Sequence, residues 1–142
     1  MKKLVVFSLT FMISLFSFAQ KIKENELPED VKTAFKNIYP QTKAEKWEKE
    51  GNNFEAEFKH NKIEQSVLFD AQGNILETEI EIEKNKLPNT VLEYVKTNYK
   101  GHSIKEAAKI NDSKDAVFFE VEIKGMDVIF DSNGKFLREV KD

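Results

Sequence analysis

Apolar and polar residues alternate along this chain with two periods, and the two occur in the same order twice. Leu27, Val31, Phe35 and Ile38 recur at near-helical spacing, with Ala34 and Tyr39 widening the stripe. This predicts an amphipathic helix over 26–38. Pro28 suits its first position, Glu29 and Asp30 place negative charge on the positive end of the helix dipole, and Pro40 ends it. The stretch 87–99 repeats the pattern with Pro88, Val91, Leu92 and Val95, stopping at Gly101. After each helix the period falls to two. Phe54, Ala56 and Phe58 alternate with Glu55 and Glu57, and Phe119, Val121 and Ile123 alternate with Glu120 and Glu122. Such segments are half-buried antiparallel strands, apolar inward and acidic outward. Asp70–Gly73 and Asp131–Gly134 read as hairpin turns in which glycine supplies the positive φ. Leu76, Thr78, Ile80 and Ile82 then alternate with Glu77, Glu79 and Glu81, and a weaker strand is expected around 44–49 and 104–110.

Matching positions lie 60 residues apart at the helices (Leu27, Leu87), 65 in the acidic strands (Phe54, Phe119) and 61 before the last turn (Val67, Val128). The length differences fall near 60–62 and 111–115, in expected loops, as in a duplicated unit. The fold class is therefore α+β. Two tandem repeats, about 24–82 and about 87–142, each supply one helix and a four-strand meander. Together they place a helix layer on one face of an antiparallel sheet of about eight strands. The short polar linker 83–86 favours one packed domain over 20–142.

The N-terminus reads as an export signal. Lys2 and Lys3 precede an apolar run from Leu4 to Phe18, and Ser17-Phe18-Ala19 carries the small residues of a cleavage site, so residues 1–19 are expected to be removed after Ala19. The expected location is periplasmic or secreted, with no transmembrane segment after cleavage. The chain has no cysteine, which excludes disulfides, thiolate metal sites and thiol catalysis. Net charge is −3, or −5 without Lys2 and Lys3, and no basic stripe is present, which argues against a nucleic-acid partner.

Leu-Pro at each helix start, Tyr39-Pro40, Trp47, the Phe54–Phe58 strand and the Val67–Gly73 hairpin together resemble the PepSY-like, β-lactamase-inhibitor-like domains of exported bacterial proteins. The resemblance covers nearly all of 24–142. It implies a helix-on-sheet unit used in tandem, an open sheet face available to a partner, and no catalytic residues or cofactor. The β-lactamase inhibitor protein of the family's name has larger, disulfide-bearing repeats, and this chain has neither.

Two sets of residues are candidates for a site. Several of the outward glutamates, Glu55, Glu57, Glu77, Glu79, Glu81, Glu120 and Glu122, are expected to share one sheet face. They offer oxygen ligands for weak calcium binding, or a solvated face paired with Lys49, Lys59, Lys105, Lys109 and Lys124. No dedicated metal site follows, because His60 and His102 sit in non-equivalent loops and the Asp131 turn reaches its glycine too early for a calcium loop. The second set is apolar. Leu68 and Ile129 alternate outward between inward neighbours, and Trp47, opposite in phase to the set Ile104, Ala108 and Ile110, is expected beside them. An apolar patch of Trp47, Leu68 and Ile129 within a rim of Glu55, Glu57, Glu120 and Glu122 would bind an exported or envelope protein or peptide. On this reading, replacing Trp47 and Leu68 with Ala leaves thermal stability nearly unchanged.

Overall fold

The structure, a computed structural model, describes residues 19–141. Nine strands follow one another in chain order across one antiparallel sheet. They are β1 (Gln20–Ile22), β2 (Lys46–Glu50), β3 (Asn53–His60), β4 (Ile63–Phe69), β5 (Ile75–Glu81), β6 (Glu106–Asp112), β7 (Val117–Ile123), β8 (Met126–Asp131) and β9 (Phe136–Lys141). Two ten-residue helices, α1 (Glu29–Ile38) and α2 (Asn89–Asn98), precede β2 and β6, each after a short 3-10 turn at 24–26 or 84–86. The chain packs as two compact units. Within the described residues the first holds 19–60 with Ser66–Leu76, and the second holds Asn61–Gln65 with 77–141. The expected signal segment and all but the last residue of its cleavage motif lie outside the described residues.

Neither helix has a side-chain N-cap; Pro28 and Pro88 occupy that position, one residue earlier than the pattern suggests. Ten residues are too few for a helix to persist alone, so packing must hold both in place. In the first unit Leu27, Val31 and Phe35 pack with Trp47, Phe54, Ala56, Phe58, Val67 and Phe69. The contacts are largely aromatic: Phe35 meets Trp47 edge-on at 5.3 Å and Phe58 at 5.2 Å, and Tyr39 lies 4.5 Å from Phe58. In the second unit the corresponding core is mostly aliphatic: Leu87, Val91, Val95, Val121, Ile123 and Val128 with Phe130. There the aromatic contribution moves outward, where Tyr94 stacks on Phe136 at 5.0 Å.

The sheet has one strand more than expected. Only Ile22 of β1 is apolar; it pairs with Trp47, and three residues are too few to show a period. The larger correction concerns phase. Trp47 does not join the open face: it pairs with Ala56, lies under α1 and is 6% exposed. Residues directly opposite on neighbouring strands share a face, so the register with β3 decides its direction. The same rule inverts β6, where Ala107 pairs with Val121 and faces α2, while Ala108 and Ile110 face away. Ile104 misled the reading because it precedes β6 and does not share its alternation. Leu68 and Ile129 do sit outside the helix-side cores, but they are only 4% and 2% exposed. Ile129 lies directly between Glu120 and Arg138 on the adjacent strands.

Both Asp turns form as expected. Asp70 Oδ1 accepts from the Gln72 and Asn74 N–H groups, and Asp131 Oδ1 from those of Asn133 and Lys135. Each turn then packs on the first turn of its helix. A Cβ at Gly73 would lie 2.6 Å from the Asp30 carbonyl oxygen, and one at Gly134 2.9 Å from Thr90 Cβ. Thr90 Oγ1 also donates to the Asn133 carbonyl at 2.8 Å.

Trp47→Ala should lower the unfolding free energy by about 3–5 kcal/mol, the usual cost of a large-to-small change in a packed core, as measured by urea denaturation. Gly73→Ala and Gly134→Ala should each cost about 2–4 kcal/mol, combining positive-φ strain with steric overlap. Gly125→Ala, with φ +68 but nothing near its Cβ position, should cost only about 1 kcal/mol.

Candidate functional site

In each unit the side of the strands turned away from its own helix carries several carboxylates. In the first unit Glu48 of β2 stands directly opposite Glu55 of β3, and Lys46 opposite Glu57. Like charges in that position repel. Lys46 offsets this by reaching 2.9 Å from Glu48 and 3.0 Å from Glu57. The hydrogen bond to Glu48 raises the Lys46 pKa above its ordinary value, with partial burial opposing and Glu57 reinforcing. Glu55 is half-buried. Burial pushes its carboxyl pKa up, a hydrogen bond with Ser66 acts the other way, and the charge of Glu57 raises it further. Carboxylate oxygens of Glu48, Glu50 and Glu55 lie within 4.8 Å of one another. Such spacing suits a hard divalent cation, although three half-buried carboxylates without carbonyl ligands form an incomplete cage.

In the second unit the register sets Glu81 opposite Ala108, Ala108 opposite Glu120, Glu120 opposite Ile129 and Ile129 opposite Arg138. A parallel row runs from Glu106 to Glu122 to Asp127. Arg138 reaches this face because Leu137 is an extra residue: Phe130 pairs with Phe136 and Ile129 with Arg138, so β9 changes phase at a bulge. Burial lowers the Arg138 pKa, while the charges of Glu77 and Glu120 favour its cation. Lys105 Nζ lies 2.9 Å from Glu122. On the helix side of this unit, Tyr99 donates a hydrogen bond to Glu139, and desolvation, followed by this bond, raises the tyrosine pKa.

Glu55, Glu57, Glu120 and Glu122 therefore lie on the expected face. Trp47 lies on the other side of the sheet, and Leu68 and Ile129 are packed floor rather than accessible anchors. Sequence reading missed Glu48, Glu50 and Arg138. The first two follow from a hairpin turning at Gly51-Asn52, which sets 50 opposite 53 and 48 opposite 55; Arg138 depends on a bulge with no sequence signal. His60 is tied up locally, its Nδ1 3.2 Å from Thr42 Oγ1 and its ring against Tyr39. No helix among the described residues is long and apolar enough to cross a membrane.

Two helices and a nine-strand antiparallel sheet define the chain as an α+β protein. It belongs to the family described as "Putative beta-lactamase-inhibitor-like, PepSY-like", which matches residues 17–77 and again 54–138. Among solved structures it is similar to a "putative periplasmic" protein of Bacteroides eggerthii (TM-score 0.69, 16% identity, 80% of this chain and 87% of that one). A DUF2874-family protein of Bacteroides uniformis is similarly related (0.67, 21%, 79% and 87%). A BLIP-like protein of Bacteroides fragilis shares 28% identity at TM-score 0.56, over 80% of this chain and 84% of its own. No curated protein matches the sequence.

The raised Glu55 pKa has a definite sign. Folding holds this proton more tightly than the unfolded chain does. The stabilisation is therefore full below the ordinary value of 4.5 and is lost as pH rises through the folded value. Glu55→Gln should thus be more stable than the parent at pH 7 and gain nothing at pH 4, as compared by urea denaturation at both pH values.

Proposed function

We propose that this chain is an exported, non-catalytic binding or inhibitor-like module, periplasmic or secreted, that presents its open sheet face to a protein or peptide partner. The observation that carries the reading is Glu55, a desolvated carboxylate kept among other carboxylates on the side of the strands turned away from α1. A charge held at a cost to stability is a mark of a functional position. Family membership and the BLIP-like relative support the same class. Glu55, Glu57, Glu120 and Glu122 make the contact, while Leu68 and Ile129 stiffen the surface beneath them. Trp47 belongs to the core and has no part in it. The organisation that accompanies this reading is removal of residues 1–19 and one domain of two duplicated repeats.

A second reading, cation or small-ligand binding, is favoured by the mutual approach of Glu48, Glu50 and Glu55. One experiment separates the two: capture by the tagged protein from an envelope extract of its own organism, with calcium and with chelator. It is repeated with the variant Glu55→Gln/Glu57→Gln/Glu120→Gln/Glu122→Gln. A stoichiometric partner retained in both conditions and lost with the variant is the expected result. Capture only with calcium, accompanied by a calcium-dependent rise in Tm that Glu55→Gln removes, would transfer the function to the cation. Undiminished capture by the variant would overturn the assignment of the face.

A further inference from the structure

The Asp131 turn that packs on α2 contains a bond with a chemistry of its own. Asn133 precedes Gly134, and none of the other ten asparagines of the chain precedes a glycine. Glycine has no side chain to shield its amide nitrogen, so that nitrogen can attack the side-chain carbonyl carbon of the asparagine before it. A bond forms between the Gly134 nitrogen and Asn133 Cγ, the carbon–nitrogen bond of the side-chain amide breaks, and ammonia leaves with the proton from Gly134. Water then opens the five-membered imide at either of its carbonyls. One product is aspartate. The other is isoaspartate, in which the main chain runs through the side-chain carbon and is one atom longer. The first unit lacks this chemistry at the equivalent turn: Gln72 precedes Gly73 there, and glutamine must close a slower, six-membered ring.

In the folded protein the reacting groups are tied down. The Gly134 N–H donates to the Asp131 carbonyl at 2.9 Å, and the Asn133 N–H donates to Asp131 Oδ1 at 2.9 Å. The Asn133 carbonyl accepts from Thr90 Oγ1 at 2.8 Å. Gly134 is buried against α2, where a Cβ would lie 3.2 Å from Val91 Cγ2. Ring closure must remove the Gly134 proton and rotate the backbone between Asn133 and Gly134. The first step gives up the hydrogen bond to Asp131, and the second swings the Asn133 carbonyl off Thr90. Asn133 itself is exposed, so water and base reach it as soon as the turn lifts.

We propose that Asn133 is a deamidation site gated by α2, reacting only when the Asp131 turn opens away from Thr90. Its rate then follows the open fraction of the turn, as for any reaction that needs local opening. The two products act on the helix in opposite directions. Aspartate at 133 places a negative charge beside the first turn of α2, which holds no acidic residue of its own, and the helix dipole favours it there. Isoaspartate lengthens the backbone where Gly134 has no room to move, and so releases the hairpin from α2. The turn packs on α2, away from the carboxylate face, so the modification is independent of what that face binds.

The test is incubation at mildly alkaline pH, folded in buffer and unfolded in urea, with peptide mass mapping and an isoaspartyl methyltransferase assay. In urea Asn133 should react before any other asparagine. Folding should slow it by at least about tenfold, with Gln72 intact in both states. Thr90→Val, which keeps the shape and removes the hydroxyl, should speed the folded reaction about fivefold, the loss of one ordinary hydrogen bond. It should leave the rate in urea unchanged, and Thr90→Ser should restore the slow reaction. Circular dichroism confirms that both variants fold, and acceleration confined to Asn133 marks turn opening rather than global unfolding. Earlier reaction of another asparagine in urea would overturn the site. Equal rates folded and unfolded, or a folded rate that Thr90→Val leaves unchanged, would overturn the gate. The isoaspartyl form, separated by ion exchange, should melt below Asn133→Asp; equal Tm values would overturn its coupling to α2.

Discussion

A side chain on an antiparallel sheet inherits its face from the residue opposite it, and that inheritance organises this molecule. Trp47 is in the core because Ala56 is, Ala107 because Val121 is, and Glu48 meets Glu55 because both sit across one two-residue turn. A slip of one residue in any pair would exchange the aromatic core for the carboxylate face. The turns support the register from the ends. Gly73 and Gly134 pack against the first turns of α1 and α2, so each hairpin is positioned against the helix that its own strands cover. The helices lack side-chain caps and depend on that packing in return.

The two units fill equivalent space with different materials. The first concentrates rings under its helix, where Phe35, Trp47 and Phe58 meet edge-on. The second uses Val95, Ala107 and Ile123 at the matching positions and stacks Tyr94 on Phe136 further out. The Tyr99 hydroxyl closes the edge of the second core on Glu139, satisfying a polar group that the aromatic ring carries into that environment.

Electrostatics tells the two faces apart more sharply than hydrophobicity does. Both faces contain buried apolar side chains, but carboxylates that stand opposite one another, such as Glu48 with Glu55, Glu77 with Asp112, Glu106 with Glu122 and Glu122 with Asp127, lie away from the helix of their own unit. Such pairs work against folding. Lys105 on Glu122 and Lys46 between Glu48 and Glu57 offset part of that repulsion.

The two helices, the acidic strands β3 and β7 and both Asp turns were legible in the sequence, because period, proline and turn chemistry act over a few neighbouring residues. The acidic face was legible for the same reason: Glu55, Glu57, Glu120 and Glu122 alternate with residues too apolar to face water. The directions of Trp47 and β6 were not: β2 has a single apolar residue and β6 has apolar residues on both sides, so neither strand has a phase of its own. Arg138 reached the face only through a bulge at Leu137, and Leu68 and Ile129 proved buried, which no local period foretells. The sequence by itself therefore determined which segments are helix, strand and turn, and which strands are acidic on one side. Only the tertiary structure decided which faces were shared, because register is a relation between strands and is written in neither strand alone.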